Sequence, residues 1–404
     1  MELKRATVRD LRRRNRSTLL STLFFDGPLS RHELGGRTGL SAATVSNVVG
    51  ELVDERLVVE AGQVESDGGR PRVLLRVNPG YANVIGIDVG ETGVKMELFD
   101  LAMSRLATID RPLQTPQPAP EVVAGMIADG LGELTALSDN EILGVGIGVP
   151  GTVDQADQVR VHAPTIGWDG VPLADLVRAG GVTAPLFIEN GAKTQGQAEM
   201  WFGAGRGARH AVIALIGSGV GATVITDGTT YRGFTSSAGE WGHTTLMFGG
   251  RECRCGSRGC LEAYVGAESI LDRYRRARGG RAIPRPDEES QLDFLLTAAD
   301  RSVTAAKILD ETVGYLGAGI ANLVNLFNPE RIVLGGWAGL ALGTRLLPEI
   351  RRATAAHALR HPYEQTSIEL CQLGPDVVAV GAATLPVEAL LTQGIDSRRP
   401  VPTT

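Results

Sequence analysis

Along the first eighty residues the apolar positions form helical stripes and then an alternating, hairpin-like pattern. Leu19, Leu20, Leu23 and Phe24 recur at helical spacing within a helix predicted from Leu11 to Phe25, and Asp26-Gly27-Pro28 ends it. Ser30 starts a second helix, with Glu33 three residues on completing a capping box. Gly39 supplies a tight turn, and Ser41 caps a third helix. There Val45, Val48, Val49, Leu52 and Val53 fall at i, i+3, i+4, i+7 and i+8, one apolar stripe. Two strands, Leu57 to Ala61 and Arg72 to Val77, flank the polar tip Ser66-Asp67-Gly68-Gly69-Arg70-Pro71. Residues 1–80 thus read as a winged helix-turn-helix with its linker.

The other face of the third helix and its cap present Ser41, Ala42, Thr44, Ser46 and Asn47, small or polar side chains able to approach base edges in a major groove. At the wing tip, the flat tripeptide Gly69-Arg70-Pro71 can lay Arg70 along a narrow minor groove. Charge agrees: the chain totals -6, yet residues 1–40 hold nine basic and four acidic groups. A basic head on an acidic body suits a polyanion at one end only.

From Tyr81 the pattern changes. Val84 to Asp88, Val94 to Asp100, Leu106 to Leu113 and Ile142 to Val149 read as strands, with a helix from Glu121 to Leu137 among them. Ala211 to Ile216, Ala222 to Thr226 and Arg331 to Leu334 are further apolar strands bounded by glycines. Such alternation predicts an α/β body over residues 81–404 with mixed sheets. The charged N-terminus leads into no uninterrupted apolar segment, and the longest weakly charged stretch, Ala211 to Ile225, falls short of a membrane helix. The expectation is a cytoplasmic protein without a membrane partner.

Three of the four cysteines, Cys253, Cys255 and Cys260, lie within eight residues, which in a reducing compartment favours metal over disulfide. With His243 they offer three thiolates and an imidazole, a closed tetrahedral set suited to structural Zn²⁺ with no open position for a catalytic water. Gly256 and Gly259 let the loop fold back so that Cys260 reaches the same ion. Cys371, in a distant apolar segment, reads as core.

The run Gly239-Glu240-Trp241-Gly242-His243, followed by Cys253-Arg-Cys255-Gly256-Ser-Arg-Gly259-Cys260-Leu-Glu262, resembles the repressor, open-reading-frame and kinase (ROK) family. Its repressor branch carries an N-terminal winged helix-turn-helix, so the resemblance spans essentially the whole chain. It implies a two-lobed, actin-like ATPase fold and a sugar pocket braced by the zinc-binding loop, residues 243–262. The residues implied as sugar contacts are Asn190, Glu240, His243 and Glu262. Carboxylates suit that task because they accept two strong hydrogen bonds from a vicinal diol.

Departures from the kinase pattern are equally informative. The resemblance places a catalytic aspartate after Asn190, and here stands Gly191, which cannot take a proton from a sugar hydroxyl. Thr165 replaces an asparagine that touches sugar in the kinases, and Lys193 would suit an anionic group if it faced inward. Asp88-Val-Gly90-Glu-Thr92 keeps the first phosphate-loop pattern and Gly217-Ser218-Gly219-Val220-Gly221 could wrap a phosphate, but Gly335-Gly336-Trp337 sets an indole near where adenine would lie. No catalytic residue is assigned. The reading is a homodimeric or tetrameric repressor that binds palindromic operator DNA and answers to a sugar or sugar derivative, with the short connection Asn78-Pro79-Gly80 transmitting the signal. The rivals are an active sugar kinase with an appended DNA-binding domain, and a regulator whose body binds a protein partner.

Overall fold

The computed structural model describes residues 7–66, 69–155 and 158–393. Helix α1 (Val8–Asp26) starts earlier than its apolar stripe, because Thr7 and Asp10 form a reciprocal capping box. Strand β1 (Leu29–Ser30) leads into α2 (Arg31–Thr38), capped by Ser30 and Glu33 as the sequence indicates, and Gly39 closes it at φ 70°. Helix α3 (Ala42–Asp54) is capped by Ser41 Oγ, which accepts from Thr44 N at 3.2 Å, and it buries Val45, Val48, Val49 and Leu52. Strands β2 (Val58–Ser66) and β3 (Gly69–Val77) pair antiparallel, with β1 on the other edge of β3. The ladder runs further than read: Ser66 pairs with Gly69, so Gly69, Arg70 and Pro71 begin β3 and form no loop. Asp67, Gly68 and the side chain of Arg70 lie outside the described residues.

A 3-10 turn at Pro79–Tyr81 enters the body. There β4 (Asn83–Val89), β5 (Gly93–Asp100) and β6 (Arg105–Pro112) form a meander, and α4 (Pro120–Ala136) crosses to β7 (Ile142–Val149). A separate small sheet of β8 (Thr152–Asp154), β9 (Arg160–Ala163) and β10 (Trp168–Val171) precedes α5 (Leu173–Ala179) and β11 (Leu186–Asn190). The main sheet has the order β11-β7-β4-β5-β6, with β11, β7 and β4 parallel and the rest antiparallel.

Helix α6 (Gly191–Phe202) then passes to β12 (Ala211–Ile216), β13 (Val220–Thr226) and β14 (Thr229–Thr230). An excursion carries the cysteine loop, α7 (Glu262–Val265), α8 (Ala267–Ala277), α9 (Glu288–Ala298) and α10 (Val303–Phe327). The chain returns through β15 (Arg331–Gly335), α11 (Trp337–His357), α12 (Arg360–Gln365) and β16 (Ser367–Leu370). The second sheet, β14-β13-β12-β15-β16, repeats the first: an antiparallel meander followed by two parallel strands. This doubled pattern is the two-lobed, actin-like architecture, and it makes both sheets mixed.

Helix α13 (Val377–Gln393) goes back to the first lobe, against β4, β7 and α6. Glycine makes that approach possible, since a Cβ at Gly86 or Gly146 would run into the Ala379 or Ala382 carbonyl. Each lobe has its own apolar core, and a third core joins α1, α3 and the wing to α13 and one end of the first sheet's strands through Leu20, Leu23, Leu390 and Leu143. The winged helix is therefore packed onto the body and is held by more than its linker. Among the described residues no helix is long and apolar enough to cross a membrane.

Candidate functional site

His243 ends a 3-10 turn, Trp241–His243, directly ahead of the cysteine loop. The loop doubles back where Cys253 N donates to Ser257 O at 2.8 Å and Gly256 N to Cys253 O at 3.0 Å, with Gly256 and Gly259 at φ 89° and 83°. The ligand atoms of His243, Cys253, Cys255 and Cys260 all lie within 4.8 Å of one another. Cys253 Sγ is 3.8 Å from His243 Nδ1, and Cys255 Sγ is 3.8 Å from Cys260 Sγ. A tetrahedron with Zn–S bonds of ~2.3 Å has edges of ~3.8 Å, so spacing and donor type both fit a metal ion. Burial raises the Cys253 thiol, whereas for Cys255 burial is outweighed by hydrogen bonds from Ser257 and its neighbouring thiols, which bring it down to about 7.

Beside this cluster a cleft of about 670 Å³ opens between the lobes, within the range of small-molecule sites. Asn190, Glu240, His243 and Glu262, the residues expected to meet sugar, all line it. Asn190 comes from the end of β11 and caps α6: its Oδ1 accepts from Lys193 N at 3.1 Å and its Nδ2 donates to Gly151 O at 2.5 Å. Glu240, His243 and Glu262 come from the second lobe. Burial pushes the Glu240 carboxyl up, opposed by His243 and Lys193. Buried Glu262 accepts from Val220 N at 2.9 Å through Oε2, while its Oε1 is 3.7 Å from Cys253 Sγ. His243 turns Nδ1 toward Cys253 and also lines the cleft, so one imidazole touches both centres.

Gly191 is the first residue of α6, and a Cβ there would meet Val149 O and Val378 Cγ1 at an ordinary 3.6 Å. Packing does not demand glycine at the position where the kinases keep their base. Thr165 lines the cleft and its buried Oγ1 has no partner. Lys193 does not serve as the anion contact considered from the sequence. It is 3% exposed, donates to the Ser236 carbonyl and lies 3.9 Å from Glu189, because the turn of α6 aims it at the 231–237 loop and away from the cavity. Burial lowers its pKa, with Glu240 pulling the other way. Buried Cys371 donates to Gly374 O at 3.8 Å, a core role.

The sequence reading missed Arg254. Its guanidinium crosses the cleft mouth, 2.6 Å from Glu91 in the first lobe's glycine loop, 3.4 Å from Glu268 and 3.6 Å from Glu262. The fold alone creates that bridge, since 163 residues separate Arg254 from Glu91.

On α3, Ser41, Ala42, Ser46 and Asn47 are exposed and Thr44 is half-buried, all opposite the buried stripe. The basic head is less free than its count: Arg12 pairs with Glu51 at 2.5 Å and Arg16 with Glu55 at 2.8 Å. Exposed Arg9, Arg13 and Arg14 take part in no ion pair among the described residues.

Opposite its cleft end, α6 finishes against the winged helix. Trp201 packs edge-on with Phe24 and Phe25 at ring separations of 5.7 and 5.0 Å, and Arg206 just beyond donates to Phe25 O at 3.0 Å.

Comparison with known proteins places these features. The family model described as ROK family matches residues 84–389. The xylose repressor of Bacillus spizizenii is 30% identical over 382 residues, covering 93% of this chain and 96% of its own. The glucokinase of Halalkalibacterium halodurans is 32% identical over 316 residues, covering 74% of this chain and 94% of its own. A solved ROK family transcriptional regulator, a homolog of the E. coli MLC protein, shares the fold over 95% of this chain and 97% of its own, with a TM-score of 0.79 at 24% identity.

Proposed function

The chain belongs to the ROK family as one of its transcriptional regulators, and on that premise we propose that it is a cytoplasmic repressor whose DNA affinity is set by a sugar in the interlobe cleft and that it does not phosphorylate this sugar. The observation that carries the reading is α6. Its first turn is capped by Asn190 in the cleft, and its last residues, Trp201 and Phe202, sit in the aromatic cluster of α1. Twelve residues make a rod of ~18 Å, so a change in lobe angle at one end is delivered rigidly to the other. The Asn78-Pro79-Gly80 linker is then one of two connections.

A sugar held by Glu240, His243 and Glu262 on one lobe and Asn190 on the other favours one lobe angle, which is what a two-state switch needs. Zn²⁺ held by His243, Cys253, Cys255 and Cys260 would fix the loop that aims His243 and Glu262. Against phosphoryl transfer stands Gly191, which offers no carboxylate to take the hydroxyl proton at the position that follows Asn190. Two copies presenting α3 to adjacent major grooves would read a palindrome, with Asn47 and Ser46 toward base edges and Arg9, Arg13 and Arg14 toward phosphates. Xylose, the sugar for which the Bacillus spizizenii repressor is named, is the first to try.

The test is reciprocity. Operator duplexes selected from a random pool are titrated by fluorescence anisotropy with and without each sugar, and the sugar Kd is measured with and without operator. Linkage requires the same factor in both directions, typically about 5- to 150-fold. A sugar that saturates the protein and leaves operator affinity unchanged refutes the reading. ADP release in a coupled assay would support the kinase instead.

A further inference from the structure

The sugar contacts above leave part of the cleft without a role. The same cavity is lined by Gly217, Ser218, Glu289 and Trp337, and a second cavity of about 540 Å³ shares Glu289, Trp337 and Pro375 with it. In a kinase of this fold that region would receive a nucleotide. Here its charge is wrong for one. Glu91 and Glu262 flank Gly219, Ser218 Oγ donates to Glu288, and Glu289 lines the wall. Arg254 is already paired with Glu91, Glu262 and Glu268, so a triphosphate would meet carboxylates whose counter-charge is spent.

A neutral, hydroxyl-rich ligand meets the opposite situation, because carboxylates accept O–H donors. Two further features point to one. Gln195 is fully buried and lines the cleft; its Nε2 donates to Ala214 O at 3.3 Å, and its Oε1 has no partner. An unpaired buried carbonyl is costly unless a ligand supplies the donor. Trp337, half-buried, stands between the two cavities with its Nε1 3.2 Å from the position of a Cβ on Gly217, so the glycine leaves room for the indole against the loop. An indole face is an apolar platform with a polar edge, the surface on which the C–H face of a sugar ring packs.

We propose that the former nucleotide half is a second saccharide subsite, and that the effector is a di- or oligosaccharide with one ring among Asn190, Glu240 and His243 and the next stacked on Trp337. This rests on the sugar reading above and sharpens it. Calorimetry of the full-length protein against D-xylose, D-glucose, xylobiose, cellobiose and Mg²⁺-AMPPNP tests it. A disaccharide should bind about tenfold or more tightly than its monosaccharide, the free energy of one good aromatic contact. Trp337→Ala should abolish that gain and leave the monosaccharide Kd within about twofold, and Trp337→Phe should retain most of it. Equal affinity for the disaccharide and its monosaccharide, or equal losses on both in Trp337→Ala, overturns the second subsite and leaves the sugar reading standing. Saturable AMPPNP binding weakened by Trp337→Ala returns this half to a nucleotide and overturns it as well. Binding of no sugar at all overturns both readings.

Discussion

Replacing Trp201 by alanine removes two of the three aromatic contacts between α6 and α1 while leaving the cleft untouched. The indole packs edge-on against Phe24 at 5.7 Å and Phe25 at 5.0 Å. Each such pair contributes about 0.5–1.5 kcal/mol beyond simple burial, so the two together hold α1 to α6 by about 1–3 kcal/mol. That matches the size of a typical allosteric coupling, also about 1–3 kcal/mol. Trp201→Ala should therefore remove most of the sugar-induced change in operator affinity. Sugar affinity itself should stay within about twofold, because Asn190 and Gln195, at the far end of the helix, keep their partners. The assay is operator anisotropy with and without saturating sugar, paired with calorimetry for the sugar and a thermal melt to confirm folding. A folded variant with the full wild-type sugar response would show that the signal bypasses α6 and runs through the linker or the dimer interface.

Elemental analysis of native protein should find about one zinc per chain, and Cys255→Ser should lose it and melt at lower temperature, since the binding free energy is folding free energy for the loop; zinc-free native protein that keeps its stability refutes the site. Asn47→Ala should cost about 1–3 kcal/mol on the specific operator and little on random duplex, and equal losses on both would remove Asn47 from base reading. Asp88, half-buried on the cleft floor, has its pKa raised to about 7 by burial against the pull of Lys95, with Asp376 adding to the rise. Because the folded-state pKa is raised, the folded protein holds this proton more tightly. Its stabilising contribution is complete below about pH 4 and is lost as pH rises toward and through 7. Asp88→Asn should flatten this part of a melting-temperature profile between about pH 4 and 7; an unchanged slope would exclude Asp88 as its source.

Local rules settled much of this protein before any contact was known. Capping residues and helical spacing are read within a turn or two of chain, so Ser30, Glu33, Ser41 and the valine stripe of α3 specified α2 and α3 outright. The Cys-x-Cys-x4-Cys run with His243 just ahead of it carried the His/Cys3 cluster for the same reason: its four side chains, which could hold a metal ion, lie within eighteen residues, and glycines let them meet. The family pattern then supplied Asn190, Glu240 and Glu262. What the sequence could not decide were contacts between residues far apart in the chain. Whether Lys193 faced the ligand depended on the turn of α6 and the position of the 231–237 loop, and the fold turned it away from the cleft onto the Ser236 carbonyl. The Arg254 bridge to Glu91 and the seating of Trp201 between Phe24 and Phe25 join segments more than 160 residues apart. No periodicity records such pairs, because a side chain's partner across a cleft is set by how two lobes and a packed domain come together, and that arrangement exists only once the whole chain has buried its cores.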